Sequence, residues 1–210
     1  MTVSAKQGLE ILRTTSNFQW YVIPILIIVI YIYAVEVEKR NWNVLLAGLA
    51  FWGMDWFNEI WNALVFHFSG YAPVWGAPTK SAYLILIGLN IEITFMFLVA
   101  GIACAKMLPK DKKKKILGIP NRYFLVVFNS ILFVIVEIIL NRMGVLTWEY
   151  SWWQPYCPWL ILLIGYMPFI AMCYIVHDME KIKNKLITVG TIFAVDILGL
   201  VIFGAILRWI

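Results

Sequence analysis

The stretch FWGMDWFNEIWNALVFHF, residues 51–68, decides the class of fold. It closes an apolar run over 44–68, longer than the roughly 20 residues a helix needs to cross a bilayer. Yet its middle carries Asp55, Asn58, Glu59 and Asn62. At about 100° per residue these four fall within roughly one third of the helix circumference, flanked by Trp52 and Trp56. The rest of the surface is apolar. A polar face that narrow points into a bundle while the remainder meets lipid. The reading is a transmembrane helix packed among others, and hence an all-α, polytopic transmembrane helix bundle.

The composition agrees. Of 210 residues, 62% are hydrophobic and only 14% charged, where a soluble domain is nearer half apolar and about a quarter charged. The mean hydropathy is +0.82. Six segments are long and apolar enough to span: roughly 18–36, 44–68, 82–106, 122–142, 157–177 and 186–208. They form one bundle domain over 18–210. Residues 1–17 are too polar to span and are expected to lie on the surface as an amphipathic segment, with Leu9, Ile11 and Leu12 as its apolar contacts. The first apolar run is followed by EVEKR and not by a small-residue cleavage site, so it reads as a retained span.

Lys and Arg set the orientation. The 36–43, 106–122 and 178–187 connections hold twelve of the seventeen basic residues, including the run KDKKKK. That side is expected to be cytoplasmic, with both termini external, in the cell membrane if the organism is prokaryotic. The run fixes topology and is placed to meet anionic lipid. This accounts for the net charge of +5 without nucleic acid. The opposite loops, GYAPVWGAPTK and GVLTWEYSWWQPYCPW, are rich in Trp, Tyr and Pro beyond what an interfacial belt requires, and are expected to fold over the bundle mouth. Glu59-Ile60 precedes Trp75 at the spacing by which Glu137-Ile138 precedes Trp153, each Glu with an Asn nearby. This suggests a duplicated two-helix hairpin, helices 2–3 and 4–5.

No GxGxxG, P-loop or HExxH is present. Cys104, Cys157 and Cys173 are scattered, with no CxxC and no disulfide pattern. His67 and His177 lie at helix ends and read as interfacial. No metal and no cofactor are expected.

Five acids lie inside spans: Asp55, Glu59, Glu92, Glu137 and Asp196. No Lys or Arg lies deep enough to neutralise them. A charged acid at mid-membrane costs roughly 3 kcal/mol by insertion scales. These acids must be protonated, hydrogen-bonded, cation-bound or in a wet cavity, and each outcome needs them to converge. Asn90, Thr94 and Asn129 read more simply as interhelical hydrogen-bonding residues. Asp55, Glu59, Glu137 and Asp196 are the expected catalytic groups. Trp52, Trp56, Asn58, Asn62, Glu92, Asn141, Trp153 and Tyr166 are expected to surround a lipid-soluble or small-molecule ligand. Pro168 is expected to kink its helix.

Acids among aromatic rings suit a reaction through a cationic intermediate. A protonated carboxyl acts as general acid, ring faces stabilise the cation, and a second carboxylate recovers the proton. An intramembrane Glu within FNEIWNAL and an Asp in the last helix, within AVDILG, resemble the membrane-bound terpene cyclases of fungal meroterpenoid pathways. NRMGVLTWEYSWW is similar to the Gly–Trp–Tyr segments of membrane lycopene cyclases. The resemblance implies Glu59 and Asp196 as the acid pair of a cyclase or isomerase acting on isoprenoid lipid. The chain departs from those families in having six spans where they usually show seven, and in lacking the Pro-Glu-Glu type motif. The same acids equally describe a proton-coupled transporter of small molecules or cations. A third reading is a receptor or assembly partner without chemistry.

Overall fold

The computed structural model describes residues 1–16 and 18–210; Asn17, the last residue of the expected N-terminal segment, lies outside them. The chain is mostly helical: α1 (Val3–Ile11), α2 (Val22–Glu38), α3 (Trp42–Ser69), α4 (Ile91–Lys106), α5 (Asn121–Arg142), α6 (Met167–Asp178) and α7 (Ile182–Gly199). A π-helical turn, Ile161–Tyr166, leads into α6, and another, Leu200–Ile206, extends α7. Two small antiparallel hairpins, β1 (Leu84–Leu86) with β2 (Leu89–Asn90) and β3 (Lys115–Ile116) with β4 (Ile119–Pro120), precede α4 and α5. Among the described residues, three helical stretches are long and apolar enough to cross a membrane: Asn121–Arg142, Ile161–Asp178 and Ile182–Ile206. Of the others, α2 and α4 are shorter, at 17 and 16 residues, and α3 has 28 residues and carries the polar stripe.

α3 is the central post, packed against α4, α6 and α7. Small residues let the helices approach. A Cβ added at Gly101 of α4 would lie 2.7 Å from the carbonyl oxygen of Gly48 and 2.9 Å from its Cα. Both are backbone atoms, which cannot turn aside. Gly101→Leu is expected to force α3 and α4 apart at a cost of about 1–3 kcal/mol. Thermal unfolding in detergent checks this; an unchanged midpoint would show that the crossing tolerates separation.

The expected third span differs at its start. Residues 82–90 are not helical: they form the β1–β2 hairpin. Asn90 is the reason. Its side chain accepts from the Ile93 N–H at 2.8 Å, an N-cap that starts α4 there, with Glu92 in the first turn. Gly88 and the β-branched residues before it favour a turn and strands over helix. The hairpin is tied down by Ala77 N–H to Ile87 O at 3.1 Å, Arg13 N–H to Leu84 O at 2.9 Å, and Arg13 Nε to Ile85 O at 3.0 Å. Buried non-helical backbone at a membrane protein's end needs such partners.

α1 is amphipathic, but its buried contacts are Ala5 and Gly8, while Leu9 is 42% exposed. A Cβ at Gly8 would meet Ile87 Cδ1 at 2.8 Å, so α1 rests on the hairpin. Ile11 and Leu12 pack beside Leu84 and Leu146. At this same end Arg13 donates to the Ile210 carbonyl at 3.3 Å, so the two chain ends meet. The two aromatic loops also join here. Gly76 and Thr147 exchange both backbone hydrogen bonds, at 3.0 and 2.9 Å, and Tyr150 Oη donates to Ala72 O at 2.9 Å.

The basic connections gather at the opposite end. Arg122 grips Asp178 through two bonds, Nε to Oδ2 at 2.8 Å and Nη2 to Oδ1 at 2.9 Å, a strong two-pronged pairing. Its Nη1 donates to Pro109 O at 2.9 Å. Lys106 pairs with Glu36, which Asn41 also holds. Lys185 reads in the sequence as one more loop cation. In the fold it is 1% exposed, and its ammonium donates to the last carbonyls of α6, Val176 O at 2.8 Å and His177 O, where a cation suits the helix dipole.

Candidate functional site

Three of the four acids singled out in the sequence line one cavity: Asp55 and Glu59 of α3 and Glu137 of α5. They are 3%, 3% and 7% exposed. The cavity holds about 60 Å³, well above the roughly 10–15 Å³ that one water needs. Six of the side chains lining it are aromatic: Trp75 and Trp153 from the two loops, Phe97 of α4, Phe133 of α5, Tyr166 of the π-helical turn and Phe169 of α6. Tyr166 lies parallel to Phe133 and Phe97, with ring centroids 5.3 and 6.4 Å away. Trp75 and Trp153 stack at 5.4 Å. Each such ring pair contributes roughly 0.5–1.5 kcal/mol beyond its buried area.

Glu59 is oriented by its surroundings. Its Oε1 accepts from the Trp75 indole N–H at 2.8 Å, and its Oε2 has no hydrogen bond. The loop that brings Trp75 here is held by Asn62. That amide donates to Trp75 O at 2.7 Å and accepts from Val74 N at 2.7 Å and Trp75 N at 3.3 Å. Asn62 therefore anchors the loop and does not line the cavity. The turn of the β1–β2 hairpin closes over this junction through Gly88, which has no side chain to collide with it.

Asn58 lines the cavity too, and its amide donates to Ile164 O at 3.3 Å. The cause lies four residues on. Pro168 has no N–H to give the Ile164 carbonyl, so a helical bond is lost there. The chain responds with the π-helical turn, a common device at functional positions, and Asn58 occupies the freed carbonyl. Tyr166 and Gly165 thereby reach the cavity wall. Glu137 has Tyr166 and Trp148 beside it, although the Trp148 indole N–H stops short of a hydrogen bond.

The remaining expected site residues lie elsewhere. Asp196 of α7 is 3% exposed, and neither of its oxygens is hydrogen-bonded. It faces α3 near Gly53, where a Cβ would lie 3.6 Å from Oδ2, and it is within electrostatic reach of Asp55. It is not among the cavity-lining residues. Trp52 and Trp56 turn to that same side. Trp52 packs on Phe193 of α7 at 5.5 Å, and both indole N–H groups lack partners. Glu92 ties the start of α2 to the stretch before the hairpin, accepting from Ala82 N at 2.7 Å and from the Tyr21 hydroxyl. Asn141 donates to Leu146 O at 3.1 Å beyond the end of α5. Trp75, Gly88, Phe97 and Phe133 also line the cavity and are not among the site residues expected from the sequence. The spacing that pairs Trp75 with Trp153 was a usable signal for the first; no signal marked Phe97 or Phe133 among thirteen phenylalanines.

Among the described residues no three His, Cys, Asp or Glu side chains are placed to hold a metal ion. Chemically, the arrangement offers carboxyl groups in a wall of ring faces. It can give and take protons and favour positive charge on whatever lies between.

A family model described as "Uncharacterized membrane protein family" matches residues 2–205. A protein of Archaeoglobus fulgidus carrying the name "Uncharacterized protein" is 54% identical over 209 residues, covering 100% of this chain and 99% of its own length. A second protein of that organism, with the same name, is 49% identical over 53 residues, 25% of this chain and 95% of its own length. No solved structure matches.

Proposed function

The chain belongs to this membrane protein family, and within it we propose that the protein is an acid–base catalyst acting on an unsaturated, isoprenoid-type lipid dissolved in the bilayer. One observation carries the reading: Asp55, Glu59 and Glu137 share a single cavity with six aromatic side chains. The Trp75 N–H occupies Oε1 of Glu59, so a proton on that carboxyl belongs on Oε2, the oxygen without a partner. In the proposed step that proton moves to a substrate double bond, and the resulting cation lies against ring faces. The ionised carboxyl of Glu137 removes a proton from a neighbouring carbon, which restores a double bond. Return of that proton from Glu137 to Glu59 closes the cycle with no net change in protonation. At about 60 Å³ the cavity suits reaction at one end of a chain, hence isomerisation before cyclisation of a whole folded polyene.

The test is incubation of reconstituted protein with candidate isoprenoid lipids in deuterated water. Deuterium at a chain carbon, found by mass spectrometry, is the expected result. A proton-coupled carrier is the second reading, favoured by the link from Asp55 to Asp196, which leads away from the cavity toward α7. It predicts a chemically unchanged ligand.

The placement in the bilayer is part of the proposal: α2 to α7 each cross, the basic end is cytoplasmic, and both termini are external. Cysteine substituted at Lys112 is expected to label only from the cytoplasm and at Trp152 only from outside, once Cys104, Cys157 and Cys173 are replaced. Both positions are accessible, the Lys112 side chain at 56% and Trp152 at 37%. Labelling of position 112 from outside intact cells would invert the orientation.

A further inference from the structure

The cavity has a side entrance. Met96 of α4 and Val136 of α5 line it, yet they are 37% and 44% exposed. α4 packs on α2, α3 and α6, and α5 packs on α6 and the first π-helical turn, but α4 and α5 are not packed along each other. Where they do meet, Phe97 and Phe133 stack at 6.4 Å and close the slot toward the basic end of the bundle. Toward the other end, the stacked Trp75 and Trp153 and the hairpin turn at Gly88 form the roof. Among the described residues, the way left open is lateral, past Ile93, Met96, Val136 and Leu140. The surface it reaches belongs to an apolar face: Ile131, Leu132, Ile135 and Ile139 of α5 are all exposed, on a helix long and apolar enough to span. Such a face meets acyl chains.

From this slot we infer the substrate class and its route: a single-chain lipid whose end group is an uncharged or cationic hydrogen-bond donor, an alcohol or an amine, entering from the bilayer between α4 and α5. The inference rests on the acid–base reading above and adds to it. The apolar mouth selects a chain. The interior selects the end group, because it presents three acids and no Lys or Arg. An ionised phosphate or carboxylate brought there would be repelled by any ionised acid and would find no cation to replace its hydration. A donor head, by contrast, meets acceptors, including Asp55 Oδ2, which is buried without a partner. At about 60 Å³ the cavity has room for the end of one chain and not for the glycerol and paired chains of a phospholipid.

The experiment uses the full chain in neutral phosphatidylcholine nanodiscs. The probes are three hexadecyl chains bearing a diazirine beside the end group: an alcohol, an amine and a carboxylic acid. After photolysis, labelled residues are mapped by peptide mass spectrometry. The alcohol and amine are expected to label buried Phe97, Tyr166 or Trp153, at least tenfold above the acid. Met96→Trp with Val136→Trp should cut this interior labelling at least tenfold and leave labelling of lipid-facing Ile135 and Ile139 unchanged, which also shows the variant is folded. Met96→Ala with Val136→Ala should raise it. Interior labelling undiminished in the Trp pair, absent with all three heads in wild type, or equal for the acid would overturn the inference. Glu59→Gln separates the two readings: interior labelling that persists there, with no deuterium exchange by any lipid in wild type, upholds the entry route and removes the catalytic proposal.

Discussion

Glu59→Gln is expected to lower deuterium transfer to lipid by about 10²–10⁴-fold, the range that a positioned acid or base contributes. The substitution keeps the side chain's size and its carbonyl oxygen. That oxygen still accepts from the Trp75 N–H, the bond now at 2.8 Å, so the loop, the Trp75–Trp153 stack and the cavity survive. What disappears is the acidic proton. Glu137→Gln should fall as far, because the second carboxylate is needed to recover the proton. The two together should be no worse than either alone, since a proton cycle broken once is broken. Asp196→Asn tests the resemblance to terpene cyclases in particular. That resemblance pairs Asp196 with Glu59, yet Asp196 lies outside the cavity lining; the geometry predicts a loss of under tenfold. A loss at Asp196 as large as at Glu59 would restore the pairing and require α7 to move toward α5. Exchange intact in both glutamate variants would return these acids to a packing role, and pH-dependent binding of an unaltered ligand would move the protein to the carrier reading.

Much of this site was legible because a helix repeats every 3.6 residues. The angular spacing of Asp55, Asn58 and Glu59 required one face, and the cost of acids in lipid required that face to point inward. Glu137 followed by the same argument on α5. Periodicity fixes an angle on one helix, however, and not the neighbour that the angle meets. Trp52 and Trp56 flank the stripe, and nothing local says that they meet α7 while Asp55 and Glu59 meet the cavity. Asp196 was inferred from cost alone, and cost is satisfied by any burial. Asn62 looked like a binding residue because an amide in a span is rare, but its partners are backbone groups of a loop that helical spacing does not describe. The β1–β2 hairpin was hidden for a related reason. Its residues are as apolar as a span, and composition cannot tell a buried hairpin from a helix; the punctuation of Gly88 and Asn90 was the available signal.

Gly88 is where that hidden hairpin touches the chemistry, and replacing it should have the largest effect on stability. An added Cβ would stand 2.6 Å from Asn62 Nδ2, 2.6 Å from Glu59 Oε2 and 2.7 Å from Trp75 Cδ1. None of the three is a loose side-chain end. Asn62 is held by three bonds to loop backbone, Glu59 by the indole, and Trp75 by its stack on Trp153. Even Gly88→Ala must therefore lift the hairpin turn or break that junction, at a cost of about 1–3 kcal/mol for overpacking, with each buried hydrogen bond lost adding about 1 kcal/mol. Gly88→Val should exceed this and prevent accumulation of folded protein. Gly190 of α7 is the contrast. It is exposed, with nothing within 4 Å of an added Cβ, and Gly190→Ala should hold or raise stability by up to about 1 kcal/mol. Thermal unfolding in one detergent, followed by tryptophan emission, compares the two. Equal midpoints for Gly88→Ala and wild type would mean that the hairpin is free to rise, and that the roof over Glu59 is not built as described.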